Sequence, residues 1–264
     1  MPSRRRGLRP YPYDRTAHLY DALVFDGPAE SVTMNRFLHR LFRRRGVESV
    51  LDLTCGTGAQ TLGLARYGYR VTAADLSRGM LAEAKRKARG LGVRFRHGDM
   101  TTLRAGRFDA AISIFNAVGH LEPERFARAM RNVRANLKPG GTYVFDIFNL
   151  DFMRAGGFRN HEYIDLAKER DGMMLVRFND NRLDRERGVM HIRHRTYVQR
   201  GFAKPEVLQE NWDMQIYTAD QLLEMLRASG FPRVRLYGGP GVPFSPKKSP
   251  FILAVAKSAQ GVTR

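Results

Sequence analysis

The 264-residue sequence contains a single cysteine, Cys55. One thiol cannot build a disulfide framework or a zinc site with several thiolate ligands, and this scarcity favours a reducing, cytoplasmic location. The sequence also lacks an apolar run of the roughly 20 residues that a membrane span requires. Its arginine-rich start leads into proline and tyrosine, which is not the order of a secretion signal. We therefore expect a protein that is neither membrane-bound nor secreted.

Acidic residues are scarce as well, with 26 Asp and Glu against 45 Lys and Arg, which gives a formal net charge of +19. A charge of this size suits nucleic acid, an acidic membrane surface or a phosphorylated small molecule, and composition alone does not separate these partners. The 43% of apolar residues are enough to build a hydrophobic core. Wholesale disorder is therefore excluded.

Strand-like and helix-like patterns alternate in the first part of the chain. A helix with one apolar stripe and one arginine-rich face is predicted from Ser31 to Gly46. Strands are predicted at 47–53, 71–75, 93–95, 108–115 and 142–148, with helical segments between them. This alternation with short linkers is typical of an open parallel sheet that is covered by helices on both faces.

The pattern changes after about Leu150, where strand-like runs follow one another without helices. Strands are predicted at 173–178, 189–198 and 207–214, with turns at Asp180-Asn181 and Lys204-Pro205. A capping box at Thr218 begins another helix, and two last strands are predicted at 234–237 and 251–256. We expect one domain over 1–264. Its parts are an N-terminal arm and cap helix (1–45), a Rossmann-like core (46–150 and 216–257) and an antiparallel insertion (151–215). We expect the insertion to form the side of the site that meets the acceptor, the molecule that is modified.

A glycine turn joins the first core strand to the next helix. Glycines at Gly56 and Gly58 let a ligand approach the backbone, and the start of the helix offers free N–H groups. Asp75 ends the second strand at about the spacing at which such a carboxylate meets a ribose diol. Thr61 stands where the dinucleotide fingerprint requires its third glycine, so a dehydrogenase is disfavoured.

Five motifs occur in a fixed order along this part of the chain: LDLTCGTG (51–58), DLSRGML (75–81), GDM (98–100), FD (108–109) and LKPGG (137–141). As a set they resemble the motifs of class I S-adenosylmethionine-dependent methyltransferases, with a departure at Thr54, where the family more often has glycine. The resemblance implies a seven-stranded, mostly parallel sheet whose last strand is antiparallel. It also implies S-adenosylmethionine as cofactor, S-adenosylhomocysteine as product, and no metal.

The same resemblance implies which residues meet the cofactor, with Asp75 on the ribose hydroxyls and Asp99 and Met100 beside the adenine. The complete predicted set is Tyr13, Asp52, Thr54, Cys55, Gly56, Gly58, Asp75, Leu76, Met80, Asp99, Met100 and Phe115. For Asp52, direct contact and an indirect role through the backbone amides of the turn are both open. Cys55 is interpreted as a small buried thiol that needs no reactivity.

A closer resemblance concerns the segments HLYD (18–21), FNAVGHL (115–121) and GGP (238–240), together with the strand-rich insertion. They are similar to N-methyltransferases that dimethylate the amino group of nucleotide-linked deoxyamino sugars. This implies that Tyr20 and His120 face the acceptor nitrogen. An imidazole with a pKa near about 6.5 accepts or relays a proton at neutral pH, and a tyrosine ring shields a sulfonium. The alternatives are a helix-capping role for His120 and ordinary packing for Tyr20.

We therefore expect S-adenosylmethionine-dependent methyl transfer to a small, amine-bearing acceptor by in-line displacement. An anionic or nucleotide-linked acceptor and a homodimer are left open. The alternatives are O-methylation of a small molecule and methylation of RNA or another nucleic acid. The net charge motivates nucleic acid, but Asn116-Ala117-Val118-Gly119 stands in place of an Asn-Pro-Pro-aromatic motif, so this reading is not favoured.

Two side-chain patterns in the insertion complete the prediction. His191, Arg193, Arg195 and Tyr197 alternate onto one strand face, which favours a basic acceptor pocket over a solvated face. The histidines of the insertion have no matching Asp or Cys constellation, so no metal site is predicted. Trp212, the only tryptophan, is interpreted as a packing residue.

Overall fold

The computed structural model describes residues 12–24 and 29–260, so most of the predicted basic arm at 1–12 lies outside the described residues. The α-helices in the described part are α1 (Tyr20–Val24), α2 (Ala29–Arg43), α3 (Ala59–Arg66), α4 (Arg78–Lys87), α5 (Pro123–Ala135), α6 (Leu150–Phe152) and α7 (Ala219–Ala228). Short helices of other types lie at Pro12–Asp14, Ala117–His120 and Met153–Gly157. None of these helices is long and apolar enough to cross a membrane.

Two sheets contain the strands of this region. The strands are β1 (Ser49–Asp52), β2 (Arg70–Asp75), β3 (Arg94–His97), β4 (Phe108–Ser113), β5 (Leu137–Phe148), β6 (His161–Arg170), β7 (Met173–Asp184), β8 (Val189–Arg200), β9 (Glu206–Gln215), β10 (Arg233–Gly239), β11 (Val242–Pro243) and β12 (Phe251–Lys257). The central sheet has the order β11-β10-β12-β5-β4-β1-β2-β3, and β6 to β9 form a second sheet in sequence order.

The central sheet is parallel from β1 to β5, and β12 lies antiparallel between β5 and β10. The predicted Rossmann-like sheet with an antiparallel insertion is therefore confirmed. The sheet has eight strands where seven were expected, because β11 pairs with β10 at the edge. A two-residue strand inside a Gly- and Pro-rich loop is too short to produce a periodic sequence signal.

Alternating side chains of β5 reach into two separate cores. Tyr143 and Phe145 pack with α5 and α7 on one face, whereas Val144 packs on the other face with Phe37 and Leu64 of α2 and α3. Successive residues of a strand point to opposite faces, so helices can cover both. The carboxyl ends of β1 to β4 meet at one edge of the sheet, which is where ligands bind in open α/β sheets.

The second sheet, which we call the insertion sheet, is antiparallel throughout. Strand β6 was not predicted. The turn predicted at Asp180-Asn181 is wrong, because both residues lie within β7. Their polar side chains have partners in the sheet instead, since Asn181 donates to the Tyr163 hydroxyl of β6 and Asp180 pairs with Arg193 of β8 and with Arg182 of its own strand. The turn predicted at Lys204-Pro205 lies where expected, between β8 and β9.

Candidate active site

A cleft opens at the carboxyl edge of the central sheet, between the loops that follow its strands and the N-terminal segment, residues 12–24. All but two of the predicted site residues line it: Tyr13, Tyr20, Thr54, Cys55, Gly56, Asp75, Leu76, Met80, Asp99, Met100, Phe115 and His120. Asp52 and Gly58 do not. Further lining residues were not predicted: Leu53, Thr57, Ala59, Gln60, Gly98, Ile114, Ala117, Leu121 and Arg125. All of these except Arg125 lie within two residues of a predicted residue in sequence.

The glycine turn between β1 and α3 has a backbone that requires its glycines. Gly56 has φ +52°, and a Cβ there would project into open space at the cleft. Gly58 has φ +98°, and its Cβ would lie 3.2 Å from Cγ of Leu62, so Gly58 serves the packing of the helix start. Side chains at either position would meet backbone strain. The turn therefore leaves backbone room at Gly56 for a ligand.

Asp75 faces the glycine turn from the end of β2. One carboxylate oxygen accepts from the Gly56 N–H at 2.8 Å, and the other accepts from the Ser77 N–H at 2.8 Å. A carboxylate offers about four lone-pair sites, so each oxygen keeps one for a further donor. Burial raises the pKa of Asp75. Two spare acceptor sites on one carboxylate match the two hydroxyls of a ribose.

Asp52 lies behind the turn and does not reach the cleft. Its carboxylate accepts from the Thr61 hydroxyl at 2.7 Å and from the Thr54 N–H at 3.3 Å. Burial raises the pKa of Asp52 to about 7. Of the two roles left open by the sequence, these contacts favour the indirect one. Burial also raises the pKa of the Cys55 thiol, as expected for a thiol that is not reactive.

Asp99 follows β3 at the far end of the cleft. Its carboxylate accepts from the Thr101 N–H at 2.7 Å and pairs with the Arg125 guanidinium at 2.8 Å. Met100 beside it is buried. The ion pair ties the start of α5 to the loop after β3. This contact joins residues that are far apart in sequence, so no local sequence pattern predicted that Arg125 lines the cleft.

The loop after β4 contains two consecutive non-glycine residues in the left-handed region, Phe115 (φ 66°) and Asn116 (φ 52°). Each such residue costs of the order of 1–3 kcal/mol, so it persists only where its surroundings hold it in place. Asp146 accepts from the Asn116 N–H at 3.3 Å, and the Asn116 side chain accepts from the Phe148 N–H at 3.2 Å. Burial raises the pKa of Asp146 to about 6. This held turn directs Phe115 into the cleft and leads into the short helix that ends at His120.

Two aspartates fasten the N-terminal segment to the core. Asp14 accepts from the Ser77 hydroxyl at 2.5 Å and from the Gly79 N–H at 3.0 Å, at the start of α4. A carboxylate is favourable there because helix N-termini carry free N–H groups and partial positive charge. Asp21 accepts from the Thr57 hydroxyl at 2.5 Å and pairs with Lys87. These contacts hold Tyr13 and Tyr20 over the cleft.

Tyr13, Tyr20, His120 and Trp212 form an aromatic cluster at one end of the cleft. The Tyr13 hydroxyl and Nε2 of His120 share a hydrogen bond of 3.1 Å. The ring centroids of Tyr13 lie 5.9 Å from Tyr20 and 6.1 Å from Trp212. Burial lowers the pKa of His120 to about 4, and burial with nearby carboxylates raises the pKa of Tyr20 to about 12. At neutral pH the imidazole is therefore uncharged and the phenol protonated.

The insertion sheet meets the N-terminal segment with its inner face. Thr16 donates to Glu210 at 3.1 Å, and the buried Arg177 donates to the carbonyl of Leu23. The prediction of a basic pocket from His191, Arg193 and Arg195 is wrong. These side chains point to solvent from the outer face and pair with Asp213, Asp180 and Glu162. Because strand residues alternate, the inward positions of β8 are the other set, which includes His194 and Thr196.

Known proteins share both the central part of this sequence and the whole fold. Residues 50–141 match a family model described as a methyltransferase domain, so the chain contains such a domain. A glycine/sarcosine N-methyltransferase of Parasynechococcus marenigrum is 36% identical over 144 residues, which cover 52% of this chain and 51% of that protein. The chain spans about half the length of the curated relatives it matches.

Solved structures resemble nearly the whole chain, and two of them illustrate the likeness. A S-adenosylmethionine-dependent methyltransferase of Clostridium acetobutylicum has a TM-score of 0.77 at 20% identity, covering 94% of this chain and all of that one. An S-adenosylmethionine-bound amino pentose methyltransferase of Micromonospora echinaspora has a TM-score of 0.71 at 22% identity, covering 97% of this chain and all of that one. At these identities the likeness concerns the fold. The resemblance to S-adenosylmethionine-dependent methyltransferases that the motifs predicted is confirmed.

Proposed function

We propose that this protein transfers a methyl group from S-adenosylmethionine to the nitrogen of a small, amine-bearing acceptor. One observation carries the proposal: the glycine turn with Asp75 and the Tyr13–His120 pair line a single cleft. The glycine turn with Asp75 suits an adenosyl ligand, and the Tyr13–His120 pair suits an amine. The N-methyltransferase names of the curated relatives support the same reaction class.

The residues of the cleft fit S-adenosylmethionine. Asp75 has two spare acceptor sites for the ribose hydroxyls, Gly56 leaves backbone space, and Met100 and Asp99 flank the adenine end. Phe115 and Met80 add apolar walls. When bound, the cofactor supplies a methyl group on a positively charged sulfonium. The Asp75 carboxylate gives this cleft a negative group despite the net charge of +19, whereas the Asp99 carboxylate is paired with Arg125. A negative group in the lining favours a cationic ligand.

His120 and the two tyrosines act on the acceptor amine. An amine must lose its proton before it becomes a nucleophile, and the uncharged imidazole of His120 offers a lone pair for that proton. A group whose pKa is about 4 passes a proton on to water and does not retain it. We therefore assign His120 to proton relay. The Tyr13 hydroxyl orients the imidazole, and the buried Tyr20 orients the amine and excludes water.

The acceptor enters beside the inner face of the insertion sheet in this proposal. Trp212 of the aromatic cluster lies on that face, beside His194 and in the same strand as Glu210. The one arginine that lines the cleft, Arg125, already pairs with Asp99. The basic residues of the exposed α2 face do not line it. The cleft thus favours an amine over a phosphate-rich nucleic acid.

Isothermal titration with S-adenosylhomocysteine, followed by transfer from labelled S-adenosylmethionine, tests the proposal. We expect micromolar or tighter binding, and label in low-molecular-weight amines from a panel of amino acids and amino sugars. A folded protein that binds neither cofactor nor product would refute the cofactor assignment. Label that enters RNA or DNA but no small molecule would refute the acceptor class.

A further inference from the structure

A second groove lies on the face of the central sheet that α5 and α7 cover. Its volume is about 470 Å³, which is within the range of small-molecule sites. One wall is α5, where Pro123, Ala127 and Arg131 stand four residues apart and therefore share one helix face. The other wall is α7, and the turn between β7 and β8 adds Arg187. We call this site the helix groove. None of the described residues that line it also lines the cleft.

The turn that carries Arg187 is fixed beside the helix groove by hydrogen bonds on both sides of it. The Arg187 N–H donates to the Asp184 carboxylate at 2.9 Å. The Gln215 side chain donates to the carbonyl oxygens of Arg187 at 3.0 Å and Gly188 at 3.1 Å. The Gly188 carbonyl also accepts from the Ile216 N–H at 2.7 Å. The backbone therefore presents the Arg187 side chain at one place on the rim of the groove.

Two guanidinium groups of the helix groove are left for a ligand. Within the part of the chain that the structure describes, the side chains of Arg131 and Arg187 have neither a hydrogen-bond acceptor nor an ion-pair partner. Arg134 and Arg185, which stand close to them in sequence, donate to backbone carbonyl groups instead. Glu224 is the one carboxylate among the described lining residues. Two guanidinium groups against one carboxylate leave an excess of one positive charge.

A buried hydroxyl without a partner lies at the same groove. Tyr217 is 4% exposed, and its hydroxyl has no hydrogen-bond partner among residues 12–24 and 29–260. Buried polar groups normally have a partner, so this orphaned hydroxyl requires an explanation. Burial and the nearby Glu124 raise the pKa of Tyr217, so the hydroxyl keeps its proton and can donate it to an acceptor. Ala127 and Met225 add apolar surface to the lining.

We infer that the helix groove binds a small organic anion, with one carboxylate group on an apolar body of one or two rings. The planar fork of a guanidinium group matches a carboxylate in geometry, and Arg131 and Arg187 supply two such forks. The Tyr217 hydroxyl offers a further donor. An excess of one positive charge suits a monoanion better than a polyphosphate. The site is additional to the proposed methyl transfer, because the cofactor and this ligand occupy different places.

Isothermal titration calorimetry of the full chain with 2-naphthoate tests the inference. The matched uncharged probe is 2-naphthamide, which has nearly the same shape. We expect saturable, submillimolar binding of 2-naphthoate and at least about tenfold weaker binding of 2-naphthamide. Arg131→Gln and Arg187→Gln should each weaken the binding of 2-naphthoate about tenfold, because each removes a charge-assisted hydrogen bond. Arg128→Gln is the control, since Arg128 is an exposed arginine of α5 that does not line the groove.

Saturating S-adenosylhomocysteine separates the helix groove from the cleft. The affinity for 2-naphthoate should agree within about threefold with and without it, whereas competition would place the probe in the cleft and overturn the inference. Absence of saturable binding, equal binding of 2-naphthamide, or unchanged affinity in both groove variants would also overturn it. So would equal weakening by Arg128→Gln. A chain that fails to bind S-adenosylhomocysteine still gives the other readouts, so failure of the proposed function is recognised separately.

Discussion

Replacing Asp75 with alanine should weaken the binding of S-adenosylhomocysteine by roughly two to four orders of magnitude. The side chain uses one acceptor site of each oxygen on the Gly56 and Ser77 amides, which leaves two sites for the ribose diol. A hydrogen bond to a charged group contributes about 1.5–3 kcal/mol, so two contribute about 3–6 kcal/mol. Each 1.4 kcal/mol corresponds to about tenfold in affinity. Asp75→Asn keeps one acceptor oxygen and should lose about half of this free energy.

Isothermal titration calorimetry measures this loss without any acceptor. Asp213→Ala serves as the control, because it removes an exposed carboxylate from the outer face of the insertion sheet. Thermal melts identify any general loss of fold that follows from leaving the Gly56 amide without its acceptor. If folded Asp75→Ala binds S-adenosylhomocysteine within about threefold of wild type, Asp75 does not hold the ribose and the assignment of the cleft fails.

Three further outcomes follow from the site. Asp21→Asn should raise the dissociation rate of S-adenosylhomocysteine about tenfold in stopped-flow experiments, because the N-terminal segment loses its ion pair with Lys87. Lys87→Met should have the same effect, and the double variant should add little to either single variant. Additive effects of the two substitutions would contradict the pairing. His120→Gln should lower turnover on an identified acceptor at least about a hundredfold while changing S-adenosylhomocysteine affinity less than about twofold; a loss of affinity instead would make His120 a cofactor ligand. Burial lowers the pKa of His120 from 6.5 to about 4, so the unfolded chain binds a proton that the folded chain does not. The contribution of His120 to the free energy of unfolding should therefore fall as the pH decreases from 6.5 towards 4, by up to about 3 kcal/mol. Buried Asp52 and Asp146 act in the opposite direction in both proteins, so the measurement is the difference in unfolding free energy between wild type and His120→Gln in urea titrations, which should change by this amount over that pH range.

Local patterns were sufficient to predict the order of the core elements. The capping box at Thr218 and the glycine turn at Gly56 are each contained in a few neighbouring residues. The carboxyl ends of parallel strands converge, so motifs after β1, β2 and β3 had to meet at one edge. That is why Asp75 and Asp99 line one cleft although they stand in separate motifs.

Contacts between distant segments were not predictable in the same way. Arg125 reaches Asp99, and Tyr13 reaches His120, only because the chain has folded. Period-two alternation in β8 divided the side chains correctly into two sets. It did not say which set is buried, because that depends on what covers the sheet. The sequence interpretation chose the set with Arg193, and the structure buries the set with Thr196.

The N-terminal segment touches both halves of the site at once. Asp14 and Asp21 bind the cofactor side through Ser77 and Thr57, and Thr16 meets Glu210 of the insertion sheet. A ligand that orders this segment on the cofactor side lowers the entropy cost of ordering it for a second ligand on the side of the insertion sheet. Binding of cofactor and acceptor should therefore be cooperative, and thermodynamic linkage makes the enhancement the same factor in both directions. The two products, S-adenosylhomocysteine and the methylated amine, should bind cooperatively for the same reason. Slow release of the methylated amine would therefore also slow the release of S-adenosylhomocysteine.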